Sequence, residues 1–306
     1  MRLTVSLLLL ALAASPTASL AQSGLDTAKI EQVIGVKGAM IPVEHVFKVT
    51  KARNDVKVQV DGWSMPPFMG LGSWAAFTPS AHGVIVMGDT VLFEDEVNPA
   101  MSAALDSGLE VTALHNHFFF DQPRVYFMHI AGMGDEGKLA AGVKKVWDKI
   151  AEIRAATPTP AKAFGGPDIA AENAITPAPL EAILGVKGQA SQGMFKVVIG
   201  KPASMQGTHI GKEMGVNTWA AFGGRDNDAI IDGDFAMTEN ELQTVLKAMR
   251  KEGINTVALH QHMTGEEPRI LFLHYWAKGE APKLTDALKH VLDAQAEVVK
   301  HASMAQ

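Results

Sequence analysis

The chain has 306 residues, a hydrophobic content of 47%, a formal net charge of −6 and no cysteine. The missing cysteines exclude disulfides, zinc-thiolate sites, thiol nucleophiles and a lipid-modified cysteine. With no long basic run and no arginine-aromatic stripe, the electrostatic footprint of a nucleic-acid binder is absent too.

At the N-terminus, Arg2 precedes an apolar run from Val5 to Ala14, and Ser19-Leu20-Ala21 offers small residues at the positions a signal peptidase reads. The pattern predicts a signal peptide over 1–21, cleaved after Ala21, and a periplasmic or secreted protein. The run is shorter than the roughly 20 residues a bilayer crossing needs, so stable membrane insertion is not expected.

Beyond this leader the chain repeats itself. "IGVKG" at 34–38 returns as "LGVKG" at 184–188, and "FKV" at 47–49 returns at 195–197. From Met69-Gly70, which becomes Met214-Gly215, the offset settles at 145 and carries "WAAF" at 74–77 to 219–222 and Gly88-Asp89 to Gly233-Asp234. The pattern predicts one repeat over 26–154, a Pro/Ala-rich surface linker over 155–179 and a second repeat over 180–300.

Within a repeat, "VKVQVDG" (56–62) and "GVIVMGD" (83–89) have strand character. Residues 93–108 and 237–253 read as helices, with Thr238 as N-cap, Glu241 three residues on and Gly253 as the stop, while Pro99 is positioned to kink or shorten the first. "EVTALHNHF" and "PRVYFMHIAG" suggest a hairpin, followed by amphipathic helices over 137–154 and 282–300. The expected class is α+β: two homologous repeats, each a small antiparallel sheet with a histidine-bearing hairpin packed by helices.

That hairpin carries the chemistry. "ALHNHFFFDQPRVYFMH" at 113–129 returns as "ALHQHMTGEEPRILFLH" at 258–274. Strand alternation projects His115 and His117, and likewise His260 and His262, from one face about 7 Å apart, within reach of one metal ion. His129 and His274 would complete each set if the turn holds an odd number of residues, and would face away if it holds an even number. The repeated Asp89/Asp234, Glu94/Glu239 and Glu96/Glu241 offer carboxylates, and zinc, copper, iron or manganese accepts such donors. A histidine pair in a strand is as often a hydrogen-bonded structural feature. Arg124 and Arg269 can clamp an anion or pair with an acid such as Glu94 or Glu239, the ion pair being favoured. Trp74 and Trp219 are expected in the core, and His45, His82, His209, His290 and His301 do not recur.

The stretch "WAAF…GD…EDEVNP…ALHNH…PRVYFMH" over 74–134, with its counterpart over 219–279, resembles the LppY/LpqO family of exported bacterial proteins, a domain of unknown function often found in two copies. The resemblance implies export and a doubled domain, but no reaction. Some relatives are lipoproteins, and this chain lacks the cysteine that requires. The favoured function is a periplasmic protein binding a transition metal or a small anionic ligand. The alternatives are a metal-dependent hydrolase with Glu94, Glu96, Glu239 or Glu241 as general base, or a non-catalytic envelope interaction module. Packing about a pseudo-twofold axis would merge the two sites into one composite site.

Overall fold

The computed structural model describes residues 24–304, so the expected leader lies outside the described residues. The first repeat contains α1 (Thr27–Ile34), β1 (Gly38–Ile41), β2 (Val46–Ala52), β3 (Gln59–Val60), β4 (Trp63–Ser64), β5 (Gly72–Ser80) and β6 (Gly83–Phe93), then α2 (Glu94–Asp106), β7 (Glu110–Asn116), β8 (Asp121–Gln122), β9 (Val125–Gly134) and α3 (Glu136–Ala156). The second runs in the same order: α4 (Pro177–Leu184), β10 (Gln189–Ser191), β11 (Met194–Gly200), β12 (Ala203–Met205), β13 (Thr208–Ile210), β14 (Asn217–Arg225), β15 (Asp228–Thr238), α5 (Glu239–Lys251), β16 (Asn255–His260), β17 (Glu266–Glu267), β18 (Ile270–Gly279) and α6 (Ala281–Met304). The mixture of helices and antiparallel strands is the α+β arrangement that the repeat pattern predicts. The strand reading over 56–62 shrinks to β3, whereas β2, β5 and their counterparts are strands the alternation analysis did not single out.

The repeats do not stand apart. Their main strands form one sheet of 12 strands in the order β1-β2-β5-β6-β9-β7-β16-β18-β15-β14-β11-β10. The halves meet where β7 pairs antiparallel with β16 at Leu114 and Leu259. Those two leucines are equivalent in the repeat, so a pseudo-twofold axis passes between them.

One face of the sheet packs on the helices through a core that includes Phe77, Met128, Phe235 and Leu273. On the opposite face, the small sheets β4-β3-β8 and β13-β12-β17 cover lesser cores around Val91 and Phe127 in one repeat and Ala236 and Phe272 in the other. α5 starts with the expected capping box, in which the Glu241 carboxylate accepts from Thr238 N–H. Pro99 does not shorten its helix, since α2 and α5 both have 13 residues. The linker runs over the surface, held where Gly224 N–H donates to Asn173 Oδ1 at 2.8 Å and Ala161 N–H to Asp95 Oδ2 at 3.1 Å.

A β-bulge interrupts each inner strand, between Val111 and Ala113 and between Thr256 and Ala258. Each is clamped by a side-chain amide from the other repeat. Asn98 on α2 accepts from Thr256 N–H at 2.8 Å and donates to its carbonyl at 3.2 Å. Gln243 on α5, its equivalent, accepts from Val111 N–H at 3.1 Å and donates to its carbonyl at 2.9 Å. Removing an amide strands a buried N–H and C=O, at roughly 1–3 kcal/mol for each unsatisfied group. Asn98→Ala, which strands both groups of Thr256, is therefore expected to destabilise the protein by about 2–6 kcal/mol. Gln243→Ala should cost less, because Gln243 is half-buried whereas Asn98 is only 4% exposed. Urea unfolding monitored by circular dichroism checks both.

Candidate metal centre

The histidines occupy the sheet face opposite the large helices. In the second repeat Asp234 on β15 lies directly across from His274 on β18, while His260 on β16 pairs with Phe272, two residues before His274. His262 lies just past the end of β16, not within the strand, and its ring stacks on Phe272 with centroids 3.5 Å apart and planes at 9°. Two strand positions and one stacking contact thus aim three imidazoles at one carboxylate.

One ligand atom from each of Asp234, His260, His262 and His274 lies within 4.8 Å of the others, a group able to hold a metal ion. Asp234 Oδ2 is 3.1 Å from His262 Nε2 and 3.6 Å from His274 Nε2. The carboxylate is nearly inaccessible, with Asp234 only 3% exposed. Its Oδ1 and His260 Nδ1 are buried without a hydrogen-bond partner.

Burial pushes the Asp234 carboxyl above its ordinary range, against the opposing pull of His274 and His262. The same burial, reinforced by His274 and His262, lowers His260 to about 4. His260 is accordingly a neutral imidazole at physiological pH, the protonation state a metal requires.

The first repeat is looser. His115 Nε2 and His129 Nε2 are 3.0 Å apart, and His129 Nε2 is 4.0 Å from Asp89 Oδ1, itself buried without a hydrogen-bond partner. His117 packs against the rings of Phe118 and Phe127, at 4.7 Å from each, while those two rings meet edge-on at 6.1 Å. Among the described residues only the second repeat forms a four-residue group.

The turn question resolves through pairing: Asn116 faces Tyr126, so residues 117–125 are odd in number and His129 shares the face of His115. The bulge matters as much. Val111 pairs with Ile130, and without the extra residue His115 would fall opposite Tyr126, which packs toward the helices.

Trp74 and Trp219 correct the core expectation. In β5 and β14, Ala75 and Phe77, and Ala220 and Phe222, are the residues that face the helices, which turns the tryptophans to the histidine side. There they lie across from Asp89 and Asp234, under Lys48 and Lys196 whose ammonium groups sit 4.3 and 4.1 Å from the rings. The alternation of "WAAF" was the available signal.

The four repeated glutamates fare differently. Glu96 is fully buried, takes Arg53 at 2.7 and 2.9 Å and Arg154 at 2.8 Å, and accepts from Phe93 N–H at 2.9 Å. Glu241 is similarly engaged by Lys201, Gln295 and its own cap. Neither has the unengaged carboxylate a general base needs. Glu239 sits 3.8 Å from Arg269, the ion pair favoured for that arginine. Glu94 is the only one of the four that lines the groove where the two repeats meet, a cavity of about 1360 Å³ reached also by His115, His260 and Arg124. Burial raises its carboxyl pKa, against the pull of Arg124.

In metal-free protein, His260 should titrate near pH 4 when followed by histidine-ring NMR. Since its folded value lies below the ordinary 6.5, the unfolded chain binds more protons between those limits, and this group costs stability as pH falls from 6.5 to 4. A His260 resonance titrating near 6.5 would contradict the burial argument.

No curated protein matches the chain. Among solved structures, the chain is similar to a trimeric bacterial microcompartment shell protein PduB, at 10% identity over 86% of this chain and 92% of that one with a TM-score of 0.22, and to the double ringed trimeric shell protein MSM0271 from the RMM microcompartment, at 13% identity over 82% and 94% with a TM-score of 0.19. Shapes that differ this much carry no argument about this protein. A family profile matches residues 28–149 and again 178–294. Matched across both repeats, the chain belongs to the family described as Domain of Unknown Function (DUF1259), in two tandem copies.

Proposed function

We propose that this is an exported protein of the LppY/LpqO type that binds one transition-metal ion through Asp234, His260, His262 and His274. The observation that carries the reading is the convergence of four donors on a buried carboxylate whose Oδ1 has no hydrogen-bond partner. A desolvated carboxylate with no bonded cation is costly to bury, and a metal ion supplies the missing charge. Three imidazoles and one carboxylate suit zinc, copper, iron or manganese, whereas calcium and magnesium prefer shells of oxygen. Four protein donors make this a holding site, since catalytic zinc typically keeps only three and leaves a position for water. Export follows from the leader over 1–21, giving a periplasmic or secreted location after cleavage at Ala21.

Metal content measured by mass spectrometry on untagged protein tests this. About one equivalent is expected in wild type, as a four-donor site of this type implies. It should be lost in His260→Ala/His262→Ala and in Asp234→Asn, and largely kept in His115→Ala/His117→Ala. Wild type that neither contains nor takes up metal, with folding verified by circular dichroism, overturns the proposal.

A further inference from the structure

The groove on the pseudo-twofold axis is built unequally by the two repeats, and the inequality points to a ligand. The first repeat contributes the loop "FFFDQPR" (118–124), whereas the equivalent residues of the second read "MTGEEPR" (263–269). Phe119 and Phe120 on that loop are 79% and 80% exposed and line the groove, an apolar wall left facing water on one repeat only.

Charge is distributed just as unevenly. Lys57, Arg124 and Lys162 line the groove, and none has a carboxylate within 4.0 Å among the described residues. The acids beside them are otherwise engaged: Asp55 holds Arg53 at 2.9 and 3.0 Å, and Asp121 accepts from Val125 N–H at 2.6 Å. Glu94 remains as a half-buried group whose carboxyl burial makes harder to ionise. Arg269, the equivalent of Arg124, is the arginine that found a glutamate, Glu239 at 3.8 Å. Arg269 is thus paired with an exposed acid, whereas Arg124, which hydrogen-bonds Tyr126 and pulls on Glu94 without contacting it, lines the cavity.

We propose that this groove is a binding site for an organic anion with an apolar, preferably aromatic, body: the carboxylate or phosphate lies against Arg124 with Lys57 and Lys162, and the body against Phe119 and Phe120. A planar guanidinium grips either oxyanion through paired N–H donors, and the flanking ammonium groups add attraction without demanding geometry. The volume of about 1360 Å³ admits a ligand of metabolite size. None of its three cations belongs to either histidine cluster, although His115 and His260 reach the same groove.

Isothermal titration calorimetry on the full chain, before and after treatment with a chelator, separates the two. The probes are phenyl phosphate and benzoate, with benzyl alcohol as the neutral control. Both anions should bind in either condition, and benzyl alcohol about tenfold or more weakly, as loss of a charge-assisted contact implies. Arg124→Gln should weaken phenyl phosphate by about tenfold or more, while Arg269→Gln stays within about twofold. Phe119→Ser/Phe120→Ser, at positions exposed enough to leave folding intact, should weaken both anions. Equal binding of benzyl alcohol, equal losses in the two arginine variants, or no binding of either anion overturns the proposal. Anion binding that disappears on chelation also overturns it, by placing the charge on a metal ion, and would leave the metal reading standing.

Discussion

Everything at the histidine face depends on two single-residue bulges held by amides from across the pseudo-twofold axis. A strand alternates its faces strictly, so one inserted residue moves every later side chain to the other side. In β7 and β16 that residue falls just before the histidines, with Val111 and Leu114, and Thr256 and Leu259, all buried against the helices. Asn98 and Gln243 bond both polar groups of the residue where each bulge begins. Since each amide comes from the other repeat, neither half sets its histidines alone.

The shared sheet explains why the amides can reach. Once β7 and β16 pair, α2 and α5 lie side by side over the junction, and a short polar side chain on either spans to the neighbouring strand. The same pairing brings His115 and His260 to the walls of one groove while leaving their clusters separate. The outcome is two unequal histidine clusters beside a common cavity, of which only the second forms a four-residue group among the described residues.

Divergence between the repeats is chemical before it is architectural. His262 lies flat on Phe272 and turns its ring to Asp234, whereas His117 packs tilted against both Phe118 and Phe127. Phe118 is the first of three phenylalanines where the second repeat has Met263, Thr264 and Gly265. One loop thus accounts both for the looser cluster and for the apolar wall of the groove. Equivalent backbone with different loop side chains gives one copy a four-donor group able to hold an ion and leaves the other looser beside the cavity.

Much was legible in the chain itself. The offset of 145 established the doubled unit, the capping box at Thr238 and Glu241 located α5, and the recurring His-x-His and Pro-Arg segments marked the site region, because each rests on local periodicity or local hydrogen bonding. Tertiary structure alone decided the rest. Whether His129 and His274 share a face with their partners depended on the pairing register, and whether Arg124 or Arg269 finds a carboxylate within ion-pair distance depended on which acid packs nearby. That Glu96 and Glu241 serve ion pairs and caps depended on Arg53, Arg154, Lys201 and Gln295, all distant in sequence. A linear pattern records which side chains alternate within an element. Which elements face each other is determined by packing between segments far apart in the chain, and only the folded sheet brings those segments into contact.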